Sequence, residues 1–175
     1  YTHLYVLALA LCYGLIGFAD DFVKVKLKRN LGLTAIQKFL LQLVVAVVFL
    51  LLLRGNGTLS CDLYIPFWNV ELAISPVLYM IFGAFVIVGC VNAVNLTDGV
   101  DGLCGTVTLV AMLIFTLVCS KLQMEDYTLY TMALAGGCLG FLVWNLHPAK
   151  CFMGDTGSLY LGASVAAIGL ATHQH

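Results

Sequence analysis

The sequence predicts an all-α fold, a polytopic bundle of about six transmembrane helices. Of its 175 residues, 62% are hydrophobic and only 10% are charged. The mean hydropathy is +1.02, and the charged side chains stand in short clusters between long apolar runs. A water-soluble domain of this length does not sustain such a balance. We therefore predict one membrane-embedded domain over residues 1–175.

Six apolar runs approach the roughly 20 residues that a helix needs to cross the hydrocarbon core. In order they are residues 4–19, 36–53, 76–94, 103–119, 127–143 and 158–172. The first and the last are short for a span. The longest connection, residues 54–75, mixes glycine and proline with aromatic side chains such as Trp68, which favours a small hairpin at the membrane interface.

Charge assigns the connections to the two sides of the membrane. With six spans, residues 20–35, 95–102 and 144–157 share one side, and residues 54–75 and 120–126 share the other. The first side carries Lys24, Lys26, Lys28, Arg29 and Lys150, with Lys38 at its edge. The second carries only Arg54 and Lys121. The positive-inside rule therefore makes the first side cytoplasmic.

The same alternation gathers acidic residues on that side. Its members are Asp20, Asp21, Asp98, Asp101 and Asp155. They come from three separate connections and lie beside the main basic run. An ion-coupled transporter, the rival from another class, predicts acids near span midpoints, whereas these lie at span ends. The net charge of −1 gives no basic excess for binding nucleic acid.

Local spacing suggests what these acids do. Asp20 and Asp21 are neighbours, so on a helix they point about 100° apart and cannot share one position. Asp98 and Asp101 are spaced i, i+3, so a helical turn would put them on one face. Asp155 or Thr156 can cap the last helix, whose first N–H groups form an anion site. Each motif taken alone has a plainer alternative. The Asp20–Asp21 pair could be a solvated helix end, the segment around Asp98 and Asp101 a polar loop with small-residue helix packing, and Asp155 a simple helix cap.

A phosphate ligand among several carboxylates implies a cation. Like charges in a partly desolvated cleft repel one another strongly, and a divalent ion removes that conflict. Because all the candidate ligand atoms are oxygens, Mg²⁺ is the predicted ion, with Mn²⁺ as a substitute.

Four motifs resemble those of a known family. Residues 18–21, 28–34, 95–103 and 152–159 read Phe-Ala-Asp-Asp, Lys-Arg-Asn-Leu-Gly-Leu-Thr, Asn-Leu-Thr-Asp-Gly-Val-Asp-Gly-Leu and Phe-Met-Gly-Asp-Thr-Gly-Ser-Leu. In that order they resemble the phospho-N-acetylmuramoyl-pentapeptide transferases. These enzymes are a bacterial branch of the polyprenyl-phosphate N-acetylhexosamine-1-phosphate transferases, glycosyltransferase family 4. The second and fourth motifs favour this branch over the related enzymes that transfer GlcNAc-1-phosphate, which are the alternative.

The resemblance implies a ten-span fold of which this chain covers about the third to the eighth span. The family's N-terminal spans and its C-terminal loop with a histidine-rich motif are not in this chain, so we expect a fragment with an incomplete site. The implied reaction, part of peptidoglycan synthesis, moves phospho-MurNAc-pentapeptide from its UDP carrier to undecaprenyl phosphate and releases UMP. Two routes are open from the sequence: direct attack by the lipid phosphate, and transfer through an aspartyl-phosphate on one member of the Asp20–Asp21 pair. It takes place at the cytoplasmic face of the bacterial inner membrane, and a homodimer is a further candidate assembly.

The resemblance also implies roles for individual residues. Catalytic positions fall on Asp20, Asp21, Asp98, Asp101 and Asp155. Among these, Asp155 resembles the Mg²⁺ ligand, Asp20 the residue that deprotonates the lipid phosphate, and Asp21 its supporting partner.

Substrate-binding positions fall on Lys28, Lys38, Asn95, Asn145 and Phe152. Asn95, with Asp98 and Asp101, resembles the residues of the nucleotide and catalytic cleft. Asn145 and Phe152 resemble nucleotide contacts, with Phe152 placed against the uracil.

Overall fold

The computed structural model describes residues 2–28, 32–65, 68 and 70–173. Within them lie six helices and one hairpin: α1 Thr2–Leu27, α2 Ala35–Gly55, β1 Asp62–Ile65, β2 Val70–Ala73, α3 Pro76–Thr97, α4 Leu103–Lys121, α5 Glu125–Asn145 and α6 Gly154–His173. Each predicted apolar run lies inside one helix, so the predicted helical bundle is confirmed. Helix α1 continues past its apolar run to Leu27 and carries Asp20, Asp21 and Lys24 on helical backbone.

Five helices, α1 to α5, are long and apolar enough to cross a membrane. Several large apolar side chains of α2 are exposed, as expected of a lipid-facing surface: Phe39, Leu40, Val44, Val48 and Leu51. The sixth predicted span corresponds to α6, which differs because it lies inside the bundle. It packs against α1, α3 and α4, and none of its described side chains is exposed. A helix surrounded by other helices can use small residues such as Ala163, Ser164 and Ala167.

Glycines set how closely the neighbours of α6 approach it. A Cβ built on Gly17 of α1 would lie 2.7 Å from the Thr156 Cα and closer still to the Asp155 backbone. A Cβ built on Gly162 of α6 would lie 2.7 Å from the Val91 Cα of α3. Because backbone atoms cannot turn aside, only glycine permits these contacts. The ends of α1 and α3 are thereby brought against the start of α6.

The start of α2 is fixed by a capping box. The Gln37 N–H donates to Thr34 Oγ1 over 3.3 Å, and the Thr34 N–H donates to Gln37 Oε1 over 3.0 Å. These two bonds satisfy N–H groups that a helix start otherwise leaves unpaired. They hold the first turn of α2, which carries Lys38.

The hairpin expected in the longest connection is confirmed. Strands β1 and β2 pair antiparallel, with Asp62 opposite Ala73 and Ile65 opposite Val70. Trp68 lies in the turn and is exposed. Placement of the hairpin at a membrane interface stays a prediction.

Candidate active site

Three carboxylates meet where the end of α1 touches the start of α6. Asp20, Asp21 and Asp155 each offer one oxygen, and these three oxygens lie within 4.8 Å of one another. Asp20 is only 3% exposed, while Asp21 and Asp155 are half-buried. The predicted convergence of the first and third acidic motifs is therefore confirmed.

Two lysines neutralise this cluster in part. Lys24 Nζ lies 2.6 Å from Asp20 Oδ2, 2.9 Å from Asp155 Oδ2 and 3.5 Å from Asp21 Oδ1. Lys38 Nζ, from α2, lies 2.8 Å from the same Asp155 Oδ2. The sequence showed Lys24 only as a member of a basic run. Its spacing of four from Asp20 and three from Asp21 was the signal that could have singled it out.

The other oxygen of Asp155 is held by α3. Asn95 Nδ2 donates to Asp155 Oδ1 over 2.8 Å and to Ser158 Oγ over 2.7 Å. Ser158 Oγ donates in turn to the Gly154 carbonyl over 2.8 Å. Asn95 thus lies against the acid cluster, and its contact with the nucleotide stays a prediction. Ser158 was missed as a site residue, although its place in the fourth motif, residues 152–159, was a signal that could have found it.

Asp21 supplies the cap that was expected from Asp155 or Thr156. Its Oδ2 accepts hydrogen bonds from the Thr156 N–H over 2.9 Å and from Thr156 Oγ1 over 2.8 Å. A carboxylate at a helix N-terminus is stabilised by the free N–H groups and by the helix dipole. Gly154 has a φ of +65°, and a Cβ there would lie 2.8 Å from Asp21 Oδ2. The cap therefore joins two helices, which the local spacing did not predict.

Asp20 also anchors the chain that leads into α2. The Leu33 N–H donates to Asp20 Oδ1 over 2.7 Å, and a Cβ on Gly32 would come as close as 2.7 Å to the Asp20 carbonyl oxygen. Lys28, predicted to bind substrate, is exposed at the end of α1. Within the described residues, the acids form ion pairs with Lys24 and Lys38 and not with Lys28. Arg29 and its neighbours up to residue 31 lie outside the described residues.

Asp98 and Asp101 do not share one face. Helix α3 ends at Thr97 and α4 begins at Leu103, so residues 98–102 form turns instead of the helical turn that the spacing required. Partial burial and the negative charges of Asp155 and Asp21 raise the pKa of Asp98 to about 6. Asp98 therefore belongs to the electrostatic surroundings of the cluster.

Asp101 is turned towards the connection before α6. Its Oδ2 accepts from the Ala149 N–H over 3.0 Å and lies 3.0 Å from His147 Nδ1. These two partners hold the pKa of Asp101 below its usual value. His147 and the Ala149 N–H thus join this loop to Asp101.

Asn145 and Phe152 have different surroundings. Asn145 is 1% exposed, its Oδ1 accepts from the Gly102 N–H over 3.0 Å, and its Nδ2 donates to the Cys151 carbonyl over 2.8 Å. This geometry favours a positioning role, in which Asn145 joins two loops, over a direct nucleotide contact. Phe152 is 56% exposed beside the start of α6, so its ring is available for stacking.

The donor set fits a hard divalent cation. The three clustered acids offer only oxygen atoms, which Mg²⁺ prefers. Lys24 already contacts each of these acids, so its ammonium group and a bound cation would interact with the same carboxylates. Asp20, Asp21 and Asp155 are the described residues that could hold the ion. With Lys24 and Lys38 beside it, the site can bind phosphate groups and a cation together.

Comparisons with known proteins agree with the motifs. The sequence model of the family described as "Glycosyl transferase family 4" matches residues 3–173. A phospho-N-acetylmuramoyl-pentapeptide-transferase of Listeria monocytogenes serotype 4b is 47% identical over 99% of this chain and 52% of its own length. Proteins of the same name from Caldanaerobacter subterraneus subsp. tengcongensis and Carboxydothermus hydrogenoformans are each 45% identical, over 95% and 97% of this chain and 52% and 54% of their own lengths.

The chain spans about half the length of the curated relatives it matches. Within that half, the family match runs through all six helices and includes every acid of the cluster. The resemblance seen in the four motifs is confirmed. The chain belongs to glycosyl transferase family 4.

Proposed function

We propose that the protein containing this chain transfers phospho-MurNAc-pentapeptide from its UDP carrier to undecaprenyl phosphate, giving lipid I and UMP in peptidoglycan synthesis. The observation that carries the proposal is the meeting of Asp20, Asp21 and Asp155 with Lys24 and Lys38 at one end of the helices. The names of the curated relatives support this substrate. The excess of lysine and arginine at this end supports a cytoplasmic face of the bacterial inner membrane. A homodimer stays a prediction.

Each group of residues in the site has a separate role in phosphoryl transfer. Mg²⁺ held by Asp155 with Asp20 and Asp21 would act as a Lewis acid on the diphosphate and offset charge as UMP leaves. Lys24 and Lys38 bind phosphate oxygens as point charges. Asn95 and Ser158 keep the Asp155 carboxylate in place. Positioning and electrostatics then supply most of the rate, as in phosphoryl transfer generally.

The reaction transfers one phosphoryl group together with the sugar it carries. An oxygen of undecaprenyl phosphate attacks the phosphorus that carries the sugar, a new P–O bond forms, and the bond to the bridging oxygen breaks, so that UMP leaves with that oxygen. Where the lipid phosphate carries a proton, Asp20 accepts it. Phe152 stacks on the uracil, and Asp98 and Asp101 line the nucleotide side of the cleft, Asp101 through its partners in residues 147–149.

A comparison of donor substrates tests this function. In a protein of the relatives' full length that carries this chain, we expect UMP release with UDP-MurNAc-pentapeptide and undecaprenyl phosphate together, and none without the lipid. A lipid-linked product should accompany each UMP. Activity with UDP-GlcNAc alone would replace the proposed substrate with that of the related branch.

Removal of divalent cations is expected to abolish UMP release. The carboxylates of Asp20, Asp21 and Asp155 would then repel the diphosphate without a cation between them. Addition of Mg²⁺ should restore the rate, and Mn²⁺ should do so in part, because both prefer oxygen ligands. The measurement is the UMP-release rate after EDTA treatment and dialysis. A rate unchanged by this treatment would exclude the metal from the mechanism.

A further inference from the structure

A polar pair lies in the apolar interior of the bundle, below the active site. Gln42 of α2 is 0% exposed. Its Oε1 accepts a hydrogen bond from Asn92 Nδ2 of α3 over 2.6 Å, and the same Asn92 nitrogen donates to the Val88 carbonyl over 2.8 Å. Among the described residues, Gln42 Nε2 has no hydrogen-bond partner. The pair thus combines one short interhelical bond with one unsatisfied donor.

Stability does not explain this pair. Buried apolar residues stand next to it on both helices: Ala46 four residues after Gln42 on α2, and Val88 four residues before Asn92 on α3. In a membrane, water does not satisfy a buried N–H group, so an orphan donor is destabilising. An apolar side chain of the same shape would pack here without that penalty. Buried polar groups kept under such conditions are best attested as devices that fix how helices register against each other.

The pair lies on the same helix faces as two active-site residues. Gln42 follows Lys38 by four residues on α2, and Asn92 precedes Asn95 by three residues on α3. Residues at these spacings stack above one another on a helix. Lys38 and Asn95 meet at Asp155, each over 2.8 Å, one at Oδ2 and the other at Oδ1. The two convergence points of α2 and α3 are therefore one helical turn apart.

Helix α1 is joined at the same level. Tyr13 Oη donates to the Gln42 carbonyl over 2.7 Å, and the Tyr13 side chain is fully buried. Tyr13 precedes Asp20 by seven residues, or about two helical turns. The helices that deliver Asp20, Lys38 and Asn95 are thus linked by hydrogen bonds beneath the site.

We propose that Gln42 and Asn92 are positioning residues, whose hydrogen bond sets the rotation of α2 against α3 so that Lys38 and Asn95 converge on Asp155. Apolar contacts have no direction and let helices rotate or slide, whereas a hydrogen bond fixes one arrangement. The inference rests on the proposed function for its kinetic readout, but its second readout, metal affinity, is independent of the substrate.

The test uses Gln42→Met and Asn92→Leu, alone and together, in a protein of the relatives' full length. Each removes the polar atoms and keeps the approximate shape. We expect both kcat and the affinity for Mn²⁺, measured by electron paramagnetic resonance, to fall about 10- to 100-fold, as for residues that orient metal ligands. The double variant should lose no more than either single variant, because the two residues act as a unit.

Thr131→Val is the matched control. Thr131 is 0% exposed on α5 and accepts an interhelical hydrogen bond from Thr116 Oγ1 of α4 over 2.9 Å. Its loss removes a bond of the same kind outside the site, so kcat and Mn²⁺ affinity should stay within about twofold of the unaltered protein. Thermal unfolding midpoints of all variants show whether a loss reflects the fold.

If kcat and the Mn²⁺ affinity of Gln42→Met equalled those of Thr131→Val, the inference would be overturned. If the fold loss in kcat or Mn²⁺ affinity of the double variant equalled the product of the two single losses, the two residues would act independently and not as a pair. If Gln42→Met does not fold, Asn92→Leu decides, because its side chain is only half-buried. If the unaltered protein binds Mn²⁺ but does not use UDP-MurNAc-pentapeptide, the proposed function fails while the affinity measurement still tests the pair.

Discussion

Asp155→Asn is expected to abolish turnover while leaving the bundle folded and inserted. One oxygen of Asp155 contacts Lys24 and Lys38, and the other accepts from Asn95. An amide keeps the shape but loses the charge, and its NH₂ group would face either the lysines or the Asn95 donor. We expect kcat to fall on the order of 1,000-fold, because the group acts electrostatically at the reacting phosphates. The measurement is UMP release at saturating substrate.

Asp126→Asn is the matched control for this substitution. Asp126 lies at the opposite end of the helices, where it pairs with His3 over 2.8 Å, and its loss should leave kcat unchanged. Asp20→Asn should match Asp155→Asn, since Asp20 is almost fully buried and binds Lys24. Near-normal turnover in Asp155→Asn would remove this residue from the catalytic roles.

Gly17→Ala is expected to separate α1 from α6 and to lose both stability and activity. The new methyl group would lie 2.7 Å from the Thr156 Cα and closer still to the Asp155 backbone. Neither contact can be relieved by a side-chain rotation, so the helices must move apart. Overpacking of this kind costs about 1–3 kcal/mol or more. The same movement withdraws Asp20 and Asp21 from Asp155, so UMP release should fall together with the thermal unfolding midpoint.

Gly14→Ala gives the comparison for Gly17→Ala. Gly14 lies on the same helix, but a Cβ there would be 3.5 Å from the Tyr160 side chain, an ordinary van der Waals distance. Alanine at Gly14 should therefore be tolerated, and it gains up to about 1 kcal/mol of helix propensity. If both variants proved equally stable and active, close approach at Gly17 would not be what holds the cluster together.

Much of the fold follows from the sequence, because the bilayer fixes the length of a span and requires its backbone to be hydrogen-bonded internally. The apolar runs therefore located all six helices. The central position of α6 did not follow. Its small residues, such as Ala163 and Ala167, could equally mark a weak span, and only packing against α1 and α3 explains them.

The site was predictable in part. The alternation of spans placed Asp20, Asp21 and Asp155 on one side, and the structure brings them together. The sequence did not predict which side chains of different helices meet, because these contacts depend on how closely the glycines let the helices approach. The cap of α6 by Asp21 and the contact of Lys24 with Asp155 are of this kind.

For Asp101, the sequence predicted a geometry that the structure does not have. Its spacing from Asp98 suggested a shared helix face, but the spacing rule holds only inside a helix, and α3 ends at Thr97. The two carboxylates diverge, and Asp101 binds His147 and the Ala149 N–H instead. A sequence pattern fixes the direction of a side chain only where the backbone conformation is known.

Direct titration with Mn²⁺, followed by electron paramagnetic resonance, tests whether the three carboxylates of α1 and α6 form one divalent-cation site. In a protein of the relatives' full length, we predict one tightly bound Mn²⁺ ion. Mg²⁺ should displace this ion, and Asp155→Asn should abolish its binding. Asp126→Asn should leave that ion in place. Equal Mn²⁺ affinity with and without the Asp155 carboxylate would contradict the account.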